Sequence, residues 1–268
     1  MAEFDRGPTD AFAELFARVP DPPDPPDPPD ADLPGEEAFW SDWGPVFYRG
    51  RLDGSARVLV VASDPGPTER IAGRTLVGNA GQRVQGFLAR LGLTRSYICL
   101  NAWAYAVRPS FAGKMKPRLA DPAQAQWRNE LYGAVAGPAL EAVVAMGGVA
   151  QEAVRLWTGR PAGSVLVQVP HPSSHTESTL LDGWRAAIDT LRPIVTPDED
   201  GDNTGPNYGT VFEEGDYRPV PARDLPFGVP AFLGDDAWVR ALGGAEQNSV
   251  RRPVPDDLHT LIWKAPDR

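Results

Sequence analysis

The sequence is poor in several features that decide function classes. It holds one cysteine, Cys99, and three histidines in 268 residues, which excludes an internal disulfide and leaves too few soft ligands for a Cys/His metal cluster. Cys99 lies in the apolar stretch "SYICLN" and reads as a buried thiol. No apolar run approaches the roughly 18 residues a membrane span needs, and no basic start leads into an apolar run as in a secretory leader. The expectation is a globular cytoplasmic chain. Positive charge is short as well: 26 Lys+Arg face 36 Asp+Glu, a formal net charge of -10. That weighs against a polyanionic partner, since phosphate neutralisation needs lysine and arginine.

What is present is unevenly placed. Residues 57–195 carry 15 Lys+Arg against 9 Asp+Glu, and the remainder carries 11 against 27. The centre is mildly basic and the flanks hold the acid. In the N-terminal flank, "TDAFAELFARV" fits a short helix within residues 1–20, with Phe12, Leu15 and Phe16 on one face and Thr9 or Asp10 as its cap. "VPDPPDPPDPPDADLPGEE" then repeats Asp-Pro-Pro, which removes backbone donors, favours polyproline conformations and reads as a linker over 21–38 with nothing to pack. After residue 195, "TPDEDGDNTGPNYG" is a second polar break. Residues 196–268 read as an irregular extension packed on the main domain, with Trp238 and Trp263 as anchors.

Residues 39–195 form the main domain. "ARVLVVAS" (56–63), "SYICLNAW" (96–103), "EAVVAMG" (141–147) and "SVLVQVP" (164–170) are short continuous apolar runs, each fitting a strand buried on both faces. Helix-like stretches separate or follow them: "GQRVQGFLARLGL", "DPAQAQWRNELYGAVAGPAL", "GVAQEAVRLWTG" and "STLLDGWRAAIDTL". Such alternation implies right-handed crossovers and a three-layer α/β/α sandwich around a central four-stranded parallel sheet. Ligands bind such sheets beyond the carboxyl ends of the strands.

Those ends carry "SDPGPTE", "NAWAYAVRPS", "MGGVAQE" and "HPSSH". They place a carboxylate (Asp64), an amide (Asn101) and an imidazole (His171) at comparable positions. An amide can pair a donor and an acceptor with the edge of a polar heterocycle while the other two groups handle charge. Each alone also has a plain structural reading. Asp64 before Pro65 and Gly66 suits the start of a turn, Asn101 suits a turn cap, "MGG" suits a close strand-to-helix turn, and His171 suits a hydrogen-bonded structural histidine. Their coincidence at one sheet edge favours a site. The loop after the second strand also holds "GKMKPR" (113–118), near Arg108 and Phe111, which reads either as a solvated patch or as a track for phosphates.

In this order the motifs resemble those of the uracil-DNA glycosylase superfamily over roughly residues 56–192. "ASDPGPTE" resembles its first motif, and "RTLVGNAGQRVQGFLARLGL" the segment that follows it in the bacterial and archaeal iron–sulfur branch. "YICLNAWAYAVRPS" resembles the strand with the base-reading asparagine, "VVAMGGVAQEAV" the third strand and its Gly turn, and "VPHPSSH" the second catalytic motif. The resemblance implies that Asp64 orients the attacking water and stabilises a cationic sugar, that Asn101 reads the extruded base, and that His171 donates to the base oxygen where charge collects. It places Ser63, Pro65, Gly66, Leu76, Ser173 and Ser174 among the substrate-binding positions, and Arg108, Lys114, Lys116, Arg118 and His175 against DNA.

The chain departs from that branch in four respects. One cysteine cannot replace the branch's four, so no iron–sulfur cluster, other metal or cofactor is expected. Leu76 stands where the branch has an aromatic, the acid falls at Asp64 rather than Ser63, and Glu177 and Asp182 lie beside the expected phosphates. The reading is a monomeric, monofunctional glycosylase acting by base flipping on uracil or a related deaminated base in DNA, within base-excision repair. Two alternatives stay open: a catalytically weak nucleic-acid-binding homologue, and a hydrolase of small nucleosides or nucleotides.

Overall fold

The computed structural model describes residues 4–26 and 33–226, together with a two-residue strand pair at Val250–Arg251 and Ile262–Trp263. Trp238 and the Trp263 side chain, expected as anchors, lie outside the described residues.

Five strands form the central sheet in the order β1-β3-β2-β4-β5. β2 (Val58–Ala62), β3 (Tyr97–Asn101), β4 (Ala142–Met146) and β5 (Val165–Val169) are the four apolar runs, and they pair in parallel. The fifth strand, β1 (Tyr48–Gly50), pairs antiparallel with β3 and was not expected. It is three residues long and centred on Arg49, which no hydrophobic pattern would place in a sheet. Arg49 is fully buried because Asp224, Gln85 and the Thr75 carbonyl accept from its guanidinium at 3.1, 2.8 and 3.1 Å. β2, β3 and β4 are buried throughout, whereas β5 is largely half-exposed with Gln168 open to solvent. The expectation of burial on both faces fails there because β5 is the sheet edge.

Side-chain alternation sorts the strands into two cores. Leu59, Val61, Ile98, Leu100, Val143 and Ala145 pack on α1 (Asp10–Ala17), α4 (Pro122–Val135) and α5 (Gly148–Arg155). Val58, Val60, Ala62, Cys99, Val144 and Met146 pack on α3 (Asn79–Arg90) and α6 (Glu177–Leu191). This is the three-layer α/β/α arrangement. A short helix between β2 and α3, α2 (Pro67–Ala72), was hidden in the sequence by its proline and glycine punctuation.

Both flanks lie against this core. α1 buries Phe12, Leu15 and Phe16 as its periodicity predicts, and the Trp127 indole donates to the Leu15 carbonyl at 2.9 Å. Thr9 is its N-cap, without a side-chain cap bond. The start of the Asp-Pro-Pro segment packs after all: Gln124 donates to the Asp21 carbonyl and Arg118 to the Asp24 carbonyl. Proline removes donors, but the polyproline backbone keeps its carbonyls turned outward as acceptors. In the C-terminal extension, one Asp198 oxygen accepts from the N–H groups of Thr94, Arg95 and Ser96 at 2.8, 2.8 and 3.1 Å. Further on, Asp216 pairs with Arg90, and Asp224 with Arg49 and Arg51.

Candidate active site

A cleft of about 700 Å³ opens at the carboxyl end of the sheet, between the loop after β2, the start of α3 and the loop after β5. Asp64, Gly66, Leu76, His171, Ser173, Ser174 and His175 line it, so seven of the expected positions converge. Ser63, Pro65, Asn101, Arg108, Lys114, Lys116 and Arg118 are not on its wall.

The first two loops are stitched together. Ala102 and Trp103 donate their N–H groups to the carbonyls of Ala62 and Ser63, and Val107 N–H donates to Asp64 Oδ2 at 3.0 Å. That bond fixes one carboxylate oxygen of Asp64, which is half-buried. Pro65 is buried behind it.

Asn101 ends β3 in direct register with Ala62, and alternation puts it on the sheet face shared by Cys99 and Ala62. Ala62 itself lines the cleft. Asn101 is only 7% exposed, yet neither Oδ1 nor Nδ2 has a hydrogen-bond partner in the protein. A buried amide with both ends unmet is unfavourable unless a ligand supplies the bonds.

His171 stands opposite, just past β5. Its Nδ1 accepts the N–H of Ser173 at 3.2 Å, so Nδ1 carries no proton and Nε2 holds the hydrogen of the neutral ring. Burial pushes its pKa down from 6.5 to about 4, keeping the ring neutral at pH 7. The ring rests on Gly147, the first glycine of "MGG". A Cβ there would come 2.9 Å from His171 Cβ, and Gly147 has φ +88. The close turn expected of "MGG" is therefore also the floor beneath the imidazole.

Leu76 forms another wall. It is 4% exposed and adopts φ 52, the left-handed region, which costs a non-glycine residue on the order of 1–2 kcal/mol. A Cβ on Gly81 would sit 1.7 Å from the Leu76 carbonyl oxygen, so only glycine lets α3 start against this bend.

Two contributors were not anticipated. Glu69 lines the cleft, is 8% exposed, and accepts the Gly66 N–H at 3.0 Å. Burial raises its pKa, against the opposing pull of backbone N–H groups of Glu69, Val77, Gly66 and Gly78. It thereby ties the Asp64 loop to the Leu76 loop. The signal was a glutamate three residues after the N-cap, the spacing with which a helix-start carboxylate reaches back to the cap. Arg83 lines the cleft from α3 and donates to the Pro172 carbonyl at 2.8 Å. No local pattern marked it.

The expected DNA contacts are dispersed. Lys114 and Lys116 are exposed, as is His175 at the cleft. Arg108 turns back, its Nε donating to the Phe39 carbonyl and its guanidinium lying over the Trp40 ring at 4.5 Å. Arg118 is engaged by the Asp24 carbonyl and Asp121. The acids that looked awkward beside phosphates are also engaged: Glu177 accepts the Phe212 N–H at 2.7 Å, and Asp182 pairs with Arg185. Among the described residues no three His, Cys, Asp or Glu side chains are grouped to hold a metal ion, and no helix is long and apolar enough to cross a membrane.

No curated protein matches the chain. The sequence profile of the Uracil DNA glycosylase superfamily, however, matches residues 49–188, from the edge strand β1 into α6 and across every loop that lines the cleft. With that match over half of its length, and with a carboxylate, an amide and an imidazole carried on the ends of its strands, the chain belongs to the uracil DNA glycosylase superfamily.

Proposed function

We propose that the protein is a monofunctional DNA glycosylase that hydrolyses the N-glycosidic bond of uracil, or of a related deaminated base, as the first step of base-excision repair. The observation that carries this reading is the buried Asn101 amide with no protein partner, on the same sheet face as a wall of the cleft. Uracil's edge offers a donor at N3 and an acceptor at O4, the complement of one side-chain amide. A base inside a duplex cannot reach a recessed amide, so the nucleotide must be extruded.

Breaking the C1′–N1 bond leaves positive charge on the sugar and passes the bonding electrons to the base, where they collect on N1 and O2. His171, neutral with its proton on Nε2, donates a hydrogen bond to that oxygen without transferring charge of its own. Asp64, held through Oδ2 by Val107 N–H, stabilises the cationic sugar and orients the water that adds to C1′. The water gives up one proton, the base leaves as its anion and is protonated in solvent, and an abasic sugar remains. Leu76 packs on the face of the base, while Ser173 and Ser174 contact the adjoining phosphate.

The test is strand scission after alkali, using end-labelled single- and double-stranded oligonucleotides with one uracil, hypoxanthine or xanthine. Scission at uracil that is lost in Asp64→Asn supports the reading. Turnover of free nucleosides with no action on any oligonucleotide would replace it.

A further inference from the structure

The family match ends at residue 188, yet chain beyond it reaches the His171 side of the cleft. Arg83 Nη1 donates to the Pro172 carbonyl at 2.8 Å, and its Nε and Nη2 donate to the Tyr217 hydroxyl at 3.1 and 2.9 Å. Its guanidinium also lies over the Phe212 ring, 4.3 Å from the centroid. The planar fork of arginine can hold two acceptors in fixed directions at once, which the point charge of lysine cannot. Phe212 N–H is in turn held by Glu177, at the start of α6 just after the His171 loop. The carbonyls on both sides of His171 are thus fixed, Pro172 by Arg83 and Pro170 by the Trp184 indole at 3.1 Å. Trp184 packs edge-on against Tyr208 and Phe212.

We infer that the segment 208–217 is a working part of the active site: through Tyr217 and Arg83 it holds the Pro172 carbonyl, and with it the orientation of the His171 imidazole. The direction in which His171 acts rests on the glycosylase reading, whereas the positioning is a property of the free protein. Arg83 and Tyr217 are positioning residues. Without the Tyr217 hydroxyl, two Arg83 donors lose their acceptor, the fork relaxes, and the loop after β5 opens the ring to water and to the other tautomer. The charged and titratable groups that share the cleft with the ring are Asp64, Glu69, Arg83, His175 and Glu177, and the turn from β4 into α5 adds none.

The test uses the full chain with Tyr217→Phe, Arg83→Lys and Arg83→Met. Long-range ¹H–¹⁵N spectra of His171 across pH, without DNA, are read beside single-turnover excision from a uracil oligonucleotide. The expected result for the wild type is one Nε2–H tautomer titrating at about 4. In the variants the tautomers mix, the titration moves up toward 6.5, and excision slows by about tenfold to hundredfold, the scale of a small misplacement of a reacting group. Oligonucleotide affinity stays unchanged in Tyr217→Phe, which alters no charge, and Arg83→Lys does not rescue. If the variants lose thermal stability but keep the wild-type tautomer and titration in the folded protein, the inference is overturned. If the spectra change as expected while the wild type releases no base, the positioning stands and the glycosylase reading fails.

Discussion

Replacing Asn101 by leucine separates binding from stability. Leucine keeps the branching of the asparagine side chain and exchanges its two polar atoms for methyl groups. Both polar atoms are buried without a protein partner in a residue that is 7% exposed. An unmet buried polar group costs about 1–3 kcal/mol, so removing two of them offsets or exceeds the strain of fitting two larger methyls, itself about 1–3 kcal/mol. Asn101→Leu is therefore expected to be at least as stable as the wild type in urea unfolding at pH 7. A gain of 1 kcal/mol would raise the midpoint of thermal unfolding by about 2–4 °C in a chain of this size. Excision should move the other way. If the amide reads the base edge as proposed, losing both of its bonds is expected to slow single-turnover release by about 10² or more. A stability loss beyond about 1 kcal/mol would mean that the amide is already bonded in the free protein, and would overturn the base-reading role of Asn101. So would excision at the wild-type rate.

Three other outcomes follow from the same geometry. Below pH 6.5 the unfolded chain takes up a proton that folded His171 refuses until about 4, so its contribution is full above 6.5 and falls by up to about 3 kcal/mol across that window. Urea midpoints of His171→Gln should drop less steeply there than those of the wild type, and parallel profiles would contradict the burial argument. Gly147→Ala places a Cβ 2.9 Å from His171 at a φ of +88, and should cost about 1–3 kcal/mol and most of the excision rate. Gly148→Ala, whose Cβ meets nothing within 4 Å, should leave both unchanged. In DNA binding measured against salt, Lys116→Gln should flatten the slope by about 0.9, whereas Arg118→Gln, already engaged by Asp24 and Asp121, should change it little. Equal slopes for both would return Lys116 to an ordinary solvated surface.

The parts of the fold legible in the sequence are those decided locally. β2, β3 and β4 show as unbroken apolar runs because helices cover both of their faces, and α1 shows because Phe12, Leu15 and Phe16 fall on one helical stripe. β5 shows as a strand but not as an edge, since a run such as "VLVQV" says nothing of what lies beside it. β1 could not be read at all. Its central Arg49 is made tolerable by Asp224, 175 residues away. The candidate site divides in the same way. Asp64, Asn101 and His171 stand out as polar residues at the ends of apolar strands, which topology brings to one edge. Arg83 is visible only through Tyr217, 134 residues along the chain, and Gly147, legible as a turn, shows its place beneath the imidazole only through the ring that rests on it.

The proposed activity requires that this cleft break a glycosidic bond in DNA. Its most direct measurement is free uracil released, under single-turnover conditions at pH 7, from a duplex with one uracil, by the wild type beside Asp64→Asn and His171→Gln. The wild type is expected to release uracil and leave an abasic site, with a loss of about 10² or more in each variant while both stay folded. A wild type that binds the duplex but releases no base, or variants that keep the full rate, would contradict it.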